Sequence, residues 1–430
     1  MQGKVLHLTA LLAVAPLGAA AGQDPGQRAD SLAREVQILK ARLDSLERIL
    51  AQLVAQRRDT TDVGDELAAL RAAAQAAAGG AARDTTTQQA SRTRNLNILN
   101  PEISVTGDIV ANYAGPAGED DNVSATPREF EFSFQAALDP YAHTKVFITR
   151  EEDFEIAGFP EEEGEEEEGG GFEIEEGYMY WVGLPGGLGL KLGKFRQEIG
   201  LFNRWHTHAL LDVERPLATT AFLGEDGLIQ TGGQLALPSL TTGAGTQLLL
   251  FEVARGSNDA LFAGGNELSY LGRFQSFWDL GPSSFLQLGA TGVYGRNGDA
   301  DLASKLLGLD VYYRWAPPGR ALYRDVQLRA EWYLERQEVG PATLDGSGGY
   351  GHVNYRLNRR WILGTRVDYV NAMGDGPDVF QVAPSLTFWQ SEWVRLRLQY
   401  NYLKPEGGGT NHTVLFQAVW AVGPHKHESY

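Results

Sequence analysis

Beyond Pro101 apolar and polar residues alternate with a period of two. Val394, Leu396, Leu398, Tyr400 and Tyr402 are separated by Arg395, Arg397, Gln399 and Asn401. Val326, Leu328, Ala330, Trp332 and Leu334 interleave with Gln327, Arg329, Glu331, Tyr333 and Glu335, and Trp361, Leu363, Thr365, Val367 and Tyr369 repeat the pattern. Successive side chains of a strand point to opposite faces, so each run has one apolar and one polar side. Each is about ten residues long and its apolar row carries Trp or Tyr at or next to an end, the pattern of a membrane β-barrel with aromatic girdles. The competing reading is a soluble antiparallel sheet that buries its apolar face. Alternation and turn signals predict sixteen strands: 101–114, 127–139, 142–152, 172–183, 187–196, 229–239, 245–256, 268–279, 284–296, 303–316, 323–337, 347–357, 360–371, 378–389, 393–404 and 411–422. Short connections alternate with longer ones (115–126, 153–171, 197–228, 257–267, 297–302, 338–346, 372–377, 405–410), as periplasmic turns alternate with outer loops. The segment 197–228 is the longest of them.

Before the barrel the period is seven. Leu32, Leu39, Leu46 and Leu53 repeat every seventh residue, with Val36, Leu43 and Leu50 between them. Opposite charges at Glu35 with Lys40 and Arg42 with Glu47 suit bridges between parallel helices. A coiled coil over 30–58 would make a rod of about 40 Å; the alternative is one amphipathic helix folded against the body. Its oligomerisation residues are Val36, Leu39, Arg42, Leu43, Leu46, Glu47, Leu50 and Leu53. A short Ala-rich helix and a linker fill 59–98. At the start, Lys4, the apolar stretch Val5 to Ala15 and Ala19-Ala20-Ala21 read as an export signal over 1–21. The expected organisation is an all-β membrane barrel over 99–430, of about sixteen antiparallel strands, preceded by an α-helical coiled coil.

Composition narrows the chemistry. The chain has 430 residues, no Cys and a net charge of -18. Lack of Cys excludes disulfides, thiolate metal sites and a Cys nucleophile, and the acidic balance argues against nucleic acid as a partner. No nucleophile elbow, phosphate loop or dinucleotide fingerprint occurs, so an enzyme is not expected.

Sixteen strands with a long third loop resemble trimeric porins, whose third loop folds into the lumen. The run Arg42-Leu43-Asp44-Ser45-Leu46-Glu47 is similar to a signature of short trimeric coiled coils. Leu99 to Asp108 (LNPEISVTGD), and Gly193 to Arg196 with Gly200 to Leu228 (GKFR, then GLFNRWHTHALLDVERPLATTAFLGEDGL), resemble a family of outer-membrane barrels sometimes labelled zinc-regulated outer-membrane receptors. The tail, with His425, His427 and Tyr430, is loosely similar to that family's C-terminus. The resemblance implies metal-linked expression, and no zinc site follows from it.

Candidate site residues fall into four groups. Arg314, Arg329, Arg366, Arg395 and Arg397 lie on the inward faces of strands. Glu198, Arg204, Asp212, Glu214, Arg215, Glu225 and Asp226 lie on the third loop. A basic wall facing an acidic loop would set a transverse field across a constriction; ordinary solvated lumen residues are the alternative. Between Glu151 and Glu176 there are fourteen acidic residues and no basic one. Within them Glu161, Glu162, Glu163, Glu165, Glu166, Glu167 and Glu168 could collect cations at the pore mouth or bind divalent ions that bridge lipopolysaccharide, or form a solvated tract. His206 and His208, with Glu225 and Asp226 as possible neighbours, could hold a divalent cation; no other cofactor is implied.

The expected protein is a homotrimeric porin of the bacterial outer membrane, with its coiled coil in the periplasm. It would contact membrane lipid and lipopolysaccharide and pass small hydrophilic solutes or ions by diffusion. The alternatives are an envelope scaffold acting through the coiled coil and a channel selective for metal cations.

Overall fold

The structure, a computed structural model, describes residues 101–115, 123–152, 171–243, 245–262, 267–298, 302–371, 374 and 376–423. The export signal, the coiled coil and its oligomerisation residues, the linker, the acidic run 161–168 and the tail with His425 and His427 lie outside the described residues, as do the expectations placed on them.

One antiparallel sheet closes on itself. Its strands are β1 (Glu102–Gly115), β2 (Val123–Ala137), β3 (Ala142–Glu151), β4 (Glu173–Leu184), β5 (Leu188–Arg196), β6 (Ile229–Ala236), β7 (Leu240–Thr242), β8 (Gly245–Arg255) and β9 (Leu268–Gly281). They continue with β10 (Ser284–Arg296), β11 (Ala303–Trp315), β12 (Val326–Val339), β13 (Ala342–Arg356), β14 (Trp361–Asn371), β15 (Val379–Trp389), β16 (Val394–Pro405) and β17 (Asn411–Val422). β1 pairs with both β2 and β17, which closes the ring. The three-residue β7 continues β6 across Pro238, and both pair with β8, so the barrel has sixteen strands. Two helices, α1 (Leu217–Leu223) and α2 (Asp259–Phe262), lie in the connections after β5 and β8.

The period-two pattern sets the two faces. On β11, Leu307, Leu309 and Val311 are 41–49% exposed on the outside, while Leu306, Asp310 and Tyr312 are buried inside. An apolar outer band of this kind recurs on β12, β14, β16 and β17 and has no stable place in water. The eleven residues of β14 extend about 36 Å, enough to span an apolar band of about 25 Å at barrel tilt. Trp315, Trp361, Trp389 and Trp420 ring the end with short connections, and Tyr113, Tyr270, Tyr294, Trp332 and Tyr400 ring the other.

One connection differs from expectation. The segment 338–346 is strand on both sides of a two-residue link, because Val339 pairs with Ala342. Gly340, at φ +57°, supplies the left-handed first position of such a link.

The seam of the ring depends on a glycine. Gly107 pairs with Trp420, and a Cβ there would lie 2.5 Å from the indole. Gly107→Val is therefore expected to cost about 1–3 kcal/mol through overpacking. The check is the loss, on unboiled gels, of the fast-migrating folded barrel; wild-type mobility would show that the seam tolerates the side chain.

Candidate functional site

The connection 197–228 leaves β5 and returns to β6, and it is an insertion in an otherwise ordinary hairpin. Arg196 pairs with Ile229, and Gln197 N–H donates to Leu228 O at 2.9 Å. Asn203 ties the two ends, donating to Gln197 O (2.8 Å) and Leu228 O (3.1 Å) and accepting from Leu228 N–H (2.7 Å). From there the loop runs inside the barrel and reaches walls on opposite sides.

Three sets of contacts seat it. The first is apolar. Leu217, Ala218, Phe222 and Leu223 of α1 pack with Leu261 and Phe262 of α2 and with inward residues of the wall, among them Leu250, Leu271, Val293, Leu306 and Val370. At about 1.5–3 kcal/mol per large side chain, this packing fixes α1 against β8–β14. The second is a carboxylate latch. Glu331 on β12 accepts from the backbone N–H groups of Leu201 (2.5 Å) and Phe202 (3.0 Å) and from the hydroxyls of Tyr333 and Tyr350. Gly200, at φ +60°, makes the approach possible, since a Cβ there would lie 2.0 Å from Glu331 Oε2.

The third set is ionic. Arg366 on β14 donates to Asp212 (2.9 Å), Glu214 (2.8 Å) and Asp368 (2.8 Å). Glu214 also accepts from Gln381 (3.1 Å), Gln399 (2.8 Å) and Asn401 (3.2 Å). Arg128 on β2 donates to Val213 O at 2.6 Å. Burial opposes ionisation of Asp212, but the His352 imidazole and the Arg366 guanidinium outweigh it and hold its pKa below the ordinary Asp range.

A group whose folded pKa is depressed stabilises the fold above its unfolded pKa, about 3.9 for Asp, and loses that effect as the pH falls below it. The loop is expected to stay seated from pH 8 to pH 5 and to loosen only below about pH 4. Protease cleavage within 197–228 after brief acid exposure checks this. An Asp212→Asn variant should show less acid dependence than wild type, and identical profiles would remove Asp212 from the contacts that seat the loop.

On the opposite side of the lumen the loop meets carboxylates. His206 Nδ1 donates to Glu131 (2.7 Å) and Glu175 (2.8 Å), and its Nε2 to Glu176 (2.7 Å). His208 Nδ1 donates to Glu129 at 2.8 Å. All six side chains are buried. Burial works against a charged His206, yet the carboxylates of Glu175 and Glu131 raise its pKa well above the usual value. The His208 pKa is also raised: Glu129 and Glu131 outweigh burial.

Two bulges build this wall. Phe147 pairs with Glu176 but Ile148 with Ile174, so Glu175 is the extra residue and both glutamates face inward. Between β1 and β2 the register slips between Asp108 and Val110, and the adjacent Arg128 and Glu129 both turn inward. Bulges re-aim side chains in this way, and they are frequent beside functional sites.

The residues expected from sequence are distributed as follows. Arg366, Asp212 and Glu214 meet in one cluster, so this part of the basic wall touches the acidic loop directly instead of facing it across a gap. Arg395 donates to the carbonyls of His208 and Leu210, and Arg397 to Leu210 O at 3.0 Å. Arg329 lies over the ring of Tyr312, 4.2 Å from its centroid. Glu198 pairs with Arg204 at 2.6 Å, and Arg215 donates to Trp205 O at 3.0 Å. Arg314 is partly exposed at the short-connection end beside Asp325, away from the loop. Glu225 and Asp226 have exposed side chains; the carboxylates around the histidines come from β2 and β4 instead.

No family model matches the chain. An uncharacterized protein of Aquifex aeolicus is 27% identical over 370 residues, 74% of each chain. Among solved structures, the high-pH structure of Pseudomonas putida OprB has a TM-score of 0.51 at 12% identity, over 77% of this chain and 96% of that one. An anion-selective porin from Comamonas acidovorans has a TM-score of 0.50 at 11% identity, over 75% of this chain and 99% of that one. The barrel has the fold of outer-membrane porins.

Proposed function

We propose that the chain forms a channel of the outer membrane for small hydrophilic solutes or ions, in which the loop 197–228 is both constriction and gate. The division of the lumen carries this reading. Toward β8–β14 the loop is held by an apolar core, whereas toward β1–β4 and β14–β16 it is bordered by charged and amide side chains. A route for hydrated solutes belongs on the polar side, where groups can exchange protein partners for water at modest net cost, about 0.5–1.5 kcal/mol per hydrogen bond. There the strip 206–214 separates carboxylates of β2 and β4 from arginines of β14 and β16, a polarity that would orient a passing solute. The heptads of 30–58 support a homotrimer.

Proteoliposomes test the proposal: those holding the protein should release small sugars or ions faster than empty vesicles, with a size cut-off. A second reading, an envelope anchor acting through the coiled coil, is favoured by the burial of most inward side chains at the level of the loop. Vesicles that stay tight to every solute would support the anchor and overturn the channel.

A further inference from the structure

The His206 cluster has a geometry that hydrogen bonding to the loop does not by itself require. Each of three carboxylates is anchored through one oxygen and turns the other to a histidine of the loop. Glu175 Oε1 is held by Arg196 Nε at 3.0 Å, while Oε2 faces His206. Glu176 Oε2 accepts from Arg196 N–H at 2.9 Å, while Oε1 faces His206. Glu129 Oε2 accepts from His208 N–H at 2.9 Å, while Oε1 faces the His208 ring. Second partners of this kind orient metal ligands.

Donor atoms of Glu129, Glu131, Glu175 and His206 all lie within 4.8 Å of one another. The two bulges independently place adjacent inward side chains at this point of the wall. An imidazole with several carboxylates, in a chain without thiols, suits a borderline-to-hard divalent cation of the first transition row.

We propose that Glu129, Glu131, Glu175 and His206 form a binding site for one divalent transition-metal cation, which staples the loop 197–228 to β2 and β4. The imidazole belongs to the loop and the carboxylates to the barrel wall, so bound metal ties the two together in place of the His206 hydrogen bonds. The site rests on the loop's position in the lumen and not on solute passage. A chain that binds metal but never conducts would keep this site and lose the channel reading.

The test uses the full chain in detergent, stripped with a chelator and titrated with Co²⁺ or Mn²⁺. The expected result is one saturable ion per chain, with Co²⁺ quenching the fluorescence of Trp205, the neighbour of His206; Trp205→Phe identifies that component. His206→Gln and Glu131→Gln should each weaken binding at least tenfold, while His412→Gln, partnered with Tyr400 on the outer surface, leaves it unchanged. Replacing the acidic run 161–168 by Ser and Gly, and removing His425 and His427, should also leave the saturable ion in place. Folding of each variant is read from gel mobility, and Glu175→Gln replaces any variant that fails to fold. Absence of saturable binding to the wild-type chain, or binding that survives His206→Gln and disappears with the acidic run, overturns the proposal.

Discussion

Replacing Arg366 with alanine is expected to release the loop from β14 and to lower the stability of the folded barrel by about 3–5 kcal/mol, the usual result of deleting one partner of a buried ionic group. The guanidinium is fully buried and serves three carboxylates, two from the loop and one from the wall. Without it Asp212 and Asp368 stay buried close together, and Glu214 keeps only amide donors. Lysine should rescue little, because one ammonium cannot reproduce the planar fork that reaches Asp212, Glu214 and Asp368 together. Trypsin cleavage at Arg204, on the loop, reports the release, and the temperature at which gel mobility changes reports stability. Cleavage and melting like those of the wild type would show that the cluster does not hold the loop.

The second large effect is expected from Gly200→Ala. The alanine Cβ would lie 2.0 Å from Glu331 Oε2 and 2.6 Å from the Tyr333 hydroxyl. The positive φ adds about 1–2 kcal/mol for a residue with a side chain. Displacing Glu331 strands the N–H groups of Leu201 and Phe202 and two tyrosine hydroxyls, each costing about 1–3 kcal/mol if left unsatisfied. The first third of the loop should lift while α1 keeps its apolar seat, so the barrel survives and cleavage at Arg204 appears. Gly351→Ala, where a Cβ meets nothing within 4 Å, is the matched control. Equal protease resistance in the two variants would contradict the latch.

The barrel was legible in the sequence because the outer face of every strand must be apolar and its neighbours polar, which writes a period of two. That periodicity marks the loop only by its failure: the segment from Gln197 to Leu228 lacks alternation and reads as a long loop. The interior was less legible. Leu250, Leu271, Val293 and Leu306 break the polar inward row, and the unbroken runs Leu248 to Phe251 and Leu306-Leu307 are local signs that something apolar sits inside. The carboxylate wall was hidden for a different reason. Glu175 and Glu176 are adjacent, and strict alternation sends adjacent residues to opposite faces; only the bulge against Phe147 turns both inward. Glu175 and Glu176 also sit at the edge of an acidic tract that reads as solvated. Gly200 and Asn203 gave no signal, because their roles depend on Glu331 and Leu228, distant in the chain.

Conductance of a loop-excised barrel tests the account most directly. Since Gln197 and Leu228 already face each other across the hairpin, residues 198–227 can be replaced by Asn-Gly, a pair suited to a two-residue turn. In planar bilayers the excised protein should pass a large, steady current, and the full-length protein a much smaller or intermittent one. Equal currents from the two, whether large or absent, would contradict a lumen gated by this loop.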